Sequence, residues 1–278
     1  MIHNIRIGRE PLSLASMQIA QRRDIPFFFT PIHHPRWTGW LYRHYHHIYR
    51  QADGIIALTQ AEKRILTGFG VEESRITVTG MGPILADIGD EKTFRQKYNL
   101  VDDPLVLFLG QKFEYKGVAA LLNTAPLVWQ RYPETRFAFI GPRTDYSIQL
   151  FNSVSDHRIL ELDKVSLQEK TDALSACSLL CVPSSQESFG GVYTEAWSFS
   201  KPVIGCPIPA VSELIADGVD GCLVEPQPAD IAERILALLS DPNLGHSMGV
   251  AGNRKVNERY SWQHLTALTE RAYLNALS

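Results

Sequence analysis

Residues 184–205, SSQESFGGVYTEAWSFSKPVIG, follow the apolar run SLLCVP (178–183), and how they are read decides the fold. The run has the length and composition of a strand buried on both faces. SQES then reads as the loop at its carboxyl end, and FGGVYTEAWSFS as the start of a helix. In open α/β sheets, ligands sit just outside such carboxyl ends. Gly190 and Gly191 put bare backbone N–H groups at a helix N-terminus, a setting suited to phosphate or sugar oxygens. Glu187 in the loop and Glu195 in the helix place a hydroxyl-accepting carboxylate on each side of that cradle. A ligand with hydroxyls at both ends and a diphosphate in the middle, such as a nucleotide sugar, has the matching shape. The plain structural alternative is that Glu195 caps or solvates its helix and the glycines only permit close packing.

The same alternation of apolar runs and amphipathic stretches extends along the 278 residues. Strands are predicted at 26–30, 54–58, 75–79, 105–110, 137–141, 158–162, 178–183 and 202–206, with helices between them, among others at 117–131, 166–176, 191–200 and 228–240. Apolar strands separated by helices mean an α/β protein with parallel sheets. Around residues 82–104 the strand series pauses for Gly, Pro and charge, which marks a domain boundary. The later block carries a full doubly wound set. The earlier one shows three clear strands and reads as an incomplete doubly wound domain.

Net charge is −3, so overall composition gives nucleic-acid binding no support. Residues 1–50 hold seven Arg and two acids, with six of the nine His, whereas the remainder holds 20 Arg or Lys and 28 acids. A basic, aromatic-rich opening suggests an anionic partner there, or simply a solvated basic helix face. The four cysteines sit in apolar strand contexts and read as small buried hydrophobes of a reducing compartment, neither disulfides nor a zinc site. No apolar run approaches the length of a membrane span, so a cytoplasmic location is the default expectation.

The central stretch resembles the donor-binding signature E-x7-E of the family 4 retaining nucleotide-sugar glycosyltransferases, which have the GT-B fold of two Rossmann-like domains. Here the signature runs from Glu187 to Glu195, after VPSSQ. The resemblance continues through AVSELIADGVDGCLVEP (210–226), DIAERILALLSDP and YSWQHLTALTERAY, and upstream through LVLFLGQKFEYKGVAALLNTAPLV (105–128). It implies a partial N-terminal acceptor-side domain over 1–85, a nucleotide-sugar-binding domain over 86–261, and a last helix, 262–278, that packs back on the first domain. It also implies that Glu187 binds the hydroxyls of the transferred sugar and Glu195 those of the ribose. The backbone of Ser188, Phe189, Gly190, Gly191 and Val192 would hold sugar and diphosphate. Lys116 matches the family's diphosphate lysine. The family's arginine after the strand-end glycine is replaced by Gln111, with Lys112 beside it as a substitute charge. Val165 falls where the family's loop approaches the base.

The opening also resembles the second half of the family's N-terminal domain. FFFTPIHH (27–34) would be a strand ending in the histidine placed near the donor sugar, either His33 or His34. His44, His46 and His47 read as a solvated or acceptor-facing surface. The family's first strand and glycine-rich loop have no counterpart after Met1, and Met81 stands where Asn is usual. A chain of this kind is expected to show an unpaired strand edge, to self-associate and to turn over little or nothing. The function implied is transfer of a hexosyl group, with retention, to a glycan, lipid or small-molecule acceptor in cell-envelope or exopolysaccharide synthesis. No D-x-D motif occurs, so neither a metal nor another cofactor is expected beyond the nucleoside diphosphate sugar. Peripheral membrane contact through the basic opening is a further expectation. The alternatives are a non-catalytic nucleotide-sugar-binding fragment, or an epimerase or phosphorylase of the same fold.

Overall fold

The computed structural model describes residues 1–5, 10–34, 39–100 and 102–277. Parts of the basic opening (Arg6, Arg9, Arg36 and Trp37) lie outside the described residues. The chain divides into two compact units. One comprises Met1–Gly82, Glu187–Phe189 and Arg259–Ser278; the other comprises Pro83–Gln186 and Gly190–Glu258.

The first unit runs β1 (Ile2–Ile5), α1 (Glu10–Arg22), β2 (Phe27–Thr30), α2 (Arg43–Gln51), β3 (Gly54–Ala57), α3 (Gln60–Gly68) and β4 (Ile76–Val78). Its four strands are parallel, in the order β1-β2-β3-β4. The run of phenylalanines in β2 serves two cores. Phe27 and Phe29 join Ile55, Ala57, Ile48 and Tyr49 on one face, while Phe28 and Ile56 are buried on the other. Each fully buried phenylalanine contributes about 1.5–3 kcal/mol relative to exposure. In this unit the strand that composition missed is β1. IHNI holds two polar residues, so it never forms an apolar run, yet His3 is bonded on both ring nitrogens, to Tyr273 Oη (2.6 Å) and Thr30 Oγ1 (2.9 Å). Among the described residues β1 pairs only with β2, and Ile5 on it is 64% exposed.

The second unit opens with α4 (Glu91–Lys97), whose N-terminus is capped by the Asp90 carboxylate. It continues β5 (Leu105–Leu109), α5 (Val118–Trp129), β6 (Arg136–Ile140), α6 (Asp145–Phe151), β7 (Ile159–Leu162), α7 (Leu167–Ala176), β8 (Leu179–Cys181), α8 (Gly191–Ser198), β9 (Val203–Gly205), α9 (Pro209–Leu214), β10 (Cys222–Leu223), α10 (Pro228–Ser240) and α11 (Pro242–Lys255). All six strands are parallel, in the order β10-β9-β8-β5-β6-β7. The chain starts at β5, winds one way to β7, then returns to β8 and winds the other way. This is the doubly wound Rossmann arrangement, with its switch point between β5 and β8. The four cysteines are buried free thiols.

The last helix, α12 (Trp262–Asn275), belongs to the first unit. Its Ala272 and Tyr273 pack on Phe28, with the Tyr273 ring edge-on at 4.9 Å between centroids. Among the described residues no helix is long and apolar enough to cross a membrane.

Close packing in the second unit depends on glycines of α11. A Cβ at Gly249 would sit 1.8 Å from the Ser200 carbonyl oxygen, a backbone atom that cannot rotate away. Gly249→Ala is therefore expected to destabilise the protein at the upper end of the range for overpacking, about 3 kcal/mol. Urea unfolding of the variant and the wild type checks this.

Candidate functional site

At the switch point of the second sheet, the loops leaving β5 and β8 are fastened together. Ser185 donates its N–H to the Tyr115 carbonyl at 2.8 Å, and the Ser184 hydroxyl bonds the Gln186 carbonyl at 2.8 Å. Gly117, at φ 74°, begins α5. A Cβ there would lie 2.2 Å from the Pro183 carbonyl oxygen, so only glycine lets the Lys116 turn close on the end of β8. Lys116 is half-buried, its Nζ 5.5 Å from the Tyr115 ring centroid.

α8 begins at Gly190, which adopts a left-handed conformation (φ 92°, ψ 50°) and provides no side-chain cap. The Tyr193 ring fills the space a Cβ at Gly190 would need, and its hydroxyl donates to the Val182 carbonyl at 2.7 Å. Strand end and helix start are thereby locked, and among the described residues no side chain caps the start of the helix, the end of the macrodipole that favours an anion. Gly191 and Val192 are half-buried at this terminus.

Glu195 neither caps nor solvates its helix. It is 6% exposed, and its Oε1 accepts from Lys170 Nζ at 2.8 Å and from the Ile84 N–H at 3.4 Å. Lys170 also donates to the Ile84 carbonyl at 2.6 Å. Burial raises the Glu195 pKa above the ordinary carboxylate range, and the Lys170 charge opposes that shift. Sequence reasoning missed Lys170. It lies on α7, 25 residues from Glu195, and no spacing rule connects the two.

Lys112 stands differently from the role expected of it as a substitute for the missing arginine. Its side chain is fully buried and bonds Glu161 and the Leu162 carbonyl. Burial lowers its pKa while Glu161 pulls it back up. Arg143 takes the other oxygen of Glu161 at 2.6 Å. Lys112 is thus held at the end of β7, and Gln111 is the exposed member of the pair. Val165 is half-buried just before Ser166, whose hydroxyl caps α7.

The first unit holds the remaining candidates. Glu187 and Ser188 are half-buried, and Phe189 is buried against Tyr260 at 5.4 Å between centroids. The Ser188 hydroxyl donates to the His33 carbonyl at 3.1 Å. The His33 ring is enclosed by Tyr49 and Phe69, with Nδ1 3.1 Å from the Tyr49 hydroxyl. Burial, then the neighbouring His46 and His34, lower its pKa to about 4. His34 is half-buried beside it. Of the other histidines, His44 and His47 are exposed and His46 stacks on Phe69 at 3.9 Å. Among the described residues no group of three His, Cys, Asp or Glu side chains is arranged to hold a metal ion.

Removing one partner of a buried ion pair strands the other. Lys170→Met is expected to cost about 3 kcal/mol, the lower end for such pairs, because Glu195 keeps some solvent access. Adding Glu195→Gln to that variant is expected to recover more than half of the loss. Denaturant unfolding of the two variants measures both effects.

Comparison with known proteins agrees with this architecture. The family described as "Glycosyl transferases group 1" matches residues 103–241, half of the chain, and a "Glycosyl transferase 4-like domain" matches 5–82. The D-inositol 3-phosphate glycosyltransferase of Kribbella flavida is 28% identical over 242 residues, 81% of this chain and 57% of its own. The phosphatidyl-myo-inositol mannosyltransferase of Mycobacterium tuberculosis is 30% identical over 175 residues, 60% of this chain and 46% of its own. This chain thus spans about half the length of the curated relatives it matches. Among solved structures, Anabaena HepE in complex with UDP and glucose superposes with a TM-score of 0.83 at 18% identity, covering 96% of this chain and 76% of that one. Sucrose-phosphate synthase from Thermosynechococcus elongatus gives 0.80 at 20% identity, covering 100% and 74%. The fold is the GT-B type with Rossmann-like domains, and the chain belongs to the group 1 glycosyltransferases.

Proposed function

We propose that this chain binds a nucleoside diphosphate sugar and transfers its hexosyl group, with retention, to a glycan or lipid-linked acceptor. The observation that carries the reading is the uncapped start of α8 at Gly190–Gly191, at the switch point of a Rossmann-ordered sheet, with the Lys116 turn fastened to the neighbouring loop. Backbone N–H groups and a lysine stabilise a diphosphate most strongly as the glycosidic bond breaks and negative charge grows on the leaving phosphate. Glu195 holds the ribose hydroxyls, already oriented by Lys170. Glu187 holds hydroxyls of the transferred sugar. No protein nucleophile is invoked; the departing phosphate takes the acceptor proton. The relatives that act on inositol phosphate and phosphatidylinositol support a polyol or lipid-linked acceptor, and the capsular polysaccharide enzyme CapM of Staphylococcus aureus supports a glycan one.

Calorimetric titration with the glucose conjugates of UDP, GDP and ADP, and with the free nucleotides, tests the assignment. A charge-assisted hydrogen bond is worth about 1.5–3 kcal/mol, so Glu195→Ala should weaken free nucleotide binding by roughly tenfold or more. Glu187→Ala should leave the free nucleotide nearly unaffected and weaken only the sugar conjugate. Equal losses in the two variants contradict the division of roles. Nucleotide released only when acceptor is present marks a transferase; binding without turnover marks a non-catalytic nucleotide-sugar-binding protein.

The charge argument gives a second expectation. With Lys116 and the α8 terminus supplying the positive potential, donor binding should persist in excess chelator and collapse in Lys116→Ala. Titration with and without chelator decides this, and strict dependence on a divalent ion would overturn the metal-free reading.

A further inference from the structure

Glu62 is among the most deeply buried carboxyl groups of the first unit, and the chemistry above gives it no role. It is 3% exposed, on the first turn of α3, where the Thr59 hydroxyl caps the Glu62 N–H at 3.0 Å. Its two oxygens reach different loops. Oε1 accepts the backbone N–H of His33 at 2.5 Å, beyond the end of β2, and Oε2 accepts that of Leu58 at 2.6 Å, beyond the end of β3. Satisfying a helix terminus needs neither bond, because Thr59 already caps α3. A charged group buried for structure alone is costly compared with an apolar side chain. The residue it grips continues the chain of contacts: the His33 carbonyl accepts the Ser188 hydroxyl, inside the segment that runs from Glu187 into Gly190.

We propose that Glu62 is a positioning residue: by clamping the His33 backbone it places the carbonyl that holds Ser188, and so sets the loop that carries Glu187. The inference rests on the donor-binding reading of that loop. It is independent of the His33 imidazole, which lies against the Tyr49 and Phe69 rings.

The ionisation of Glu62 offers a readout that a purely structural residue would not give. Burial raises its pKa to about 7, against the lowering pull of the Leu58 and His33 backbone N–H groups. The ionised carboxylate accepts both N–H bonds at charge-assisted strength, and protonation weakens that grip. Loop order, and with it affinity for a sugar conjugate, should therefore rise as pH climbs through about 7. Global stability runs the other way. The folded-state pKa is raised, so the Glu62 contribution is complete below the ordinary value of 4.5 and is lost as pH rises to about 7. The titratable groups around it are His33 and His34 after β2, His46 and Tyr49 on α2, and Lys63 and Arg64 on its own helix. Burial lowers the pKa of His33 to about 4 and raises that of Tyr49, so neither changes charge near pH 7; burial also lowers the pKa of His46.

The test uses the whole chain, with UDP-glucose, GDP-glucose and ADP-glucose as probes. Glu62→Gln is isosteric and neutral at every pH, but its amide nitrogen cannot accept the second N–H. It should weaken the conjugate that the wild type binds by roughly tenfold at pH 8, with little change at pH 5.5. Ser188→Ala should also weaken it, and Glu62→Gln added to Ser188→Ala should cost less than a further threefold. Additive losses overturn the proposal. If Glu62→Gln fails to fold, the wild type and Ser188→Ala suffice, because the rise in affinity through pH 7 should be present in the first and absent in the second. Hydrogen exchange supplies an arm that needs no ligand. In Glu62→Gln, peptides covering 31–34 and 186–190 should both exchange faster. Acceleration confined to 31–34 overturns the proposal. If the wild type binds none of the three conjugates, the donor-binding reading fails while the exchange experiment still decides whether Glu62 sets the loop.

Discussion

The candidate site depends on one backbone residue, Gly190, held left-handed between the end of β8 and the start of α8. A side chain there would meet both the strained φ of 92° and the Tyr193 ring. Because it is glycine, Tyr193 can pack over the turn and bond the Val182 carbonyl, and the helix starts directly beyond the strand loop. The positive end of the helix dipole then lies at the carboxyl end of the sheet, where a Rossmann order leaves its crevice. Gly117 makes the same accommodation for the neighbouring loop, on the opposite side of the switch point.

Electrostatics in the second unit follow from that placement. Glu195 projects from the second turn of α8 into the protein and would be costly there alone; Lys170 and the Ile84 backbone compensate it. The result is a carboxylate whose orientation is fixed before any ligand arrives. Such preorganisation is what a binding or transition-state interaction requires, since no reorientation is needed when charge develops. Lys112 shows the contrary case. One residue from the exposed Gln111, it turns into the sheet and spends its charge on Glu161 and a carbonyl.

What the sequence made legible was the part governed by periodicity and by glycine. Eight strand segments stood out as apolar runs. The β8–α8 turn stood out because two adjacent glycines between a buried strand and a helix have few other uses. β1 was illegible because IHNI carries its polar atoms into hydrogen bonds with distant partners, Tyr273 and Thr30. β10 was illegible because two residues pair only by virtue of β9 beside them. Lys170 and Glu62 escaped for the same physical reason: each is an ordinary charged residue on a helix until tertiary structure brings its partner. Lys112 shows the limit of positional reasoning, since adjacent residues on a loop can face opposite ways.

The most direct measurement of the central claim is a crystal structure of the protein with UDP, GDP or ADP bound. The account predicts diphosphate oxygens within hydrogen-bonding distance of the backbone N–H groups of Gly190, Gly191 or Val192 and of Lys116 Nζ, with the ribose hydroxyls on Glu195. A nucleotide seated elsewhere, for example in the cavity of about 380 Å³ lined by Arg95, Lys201 and His246, with the start of α8 left empty, would contradict it.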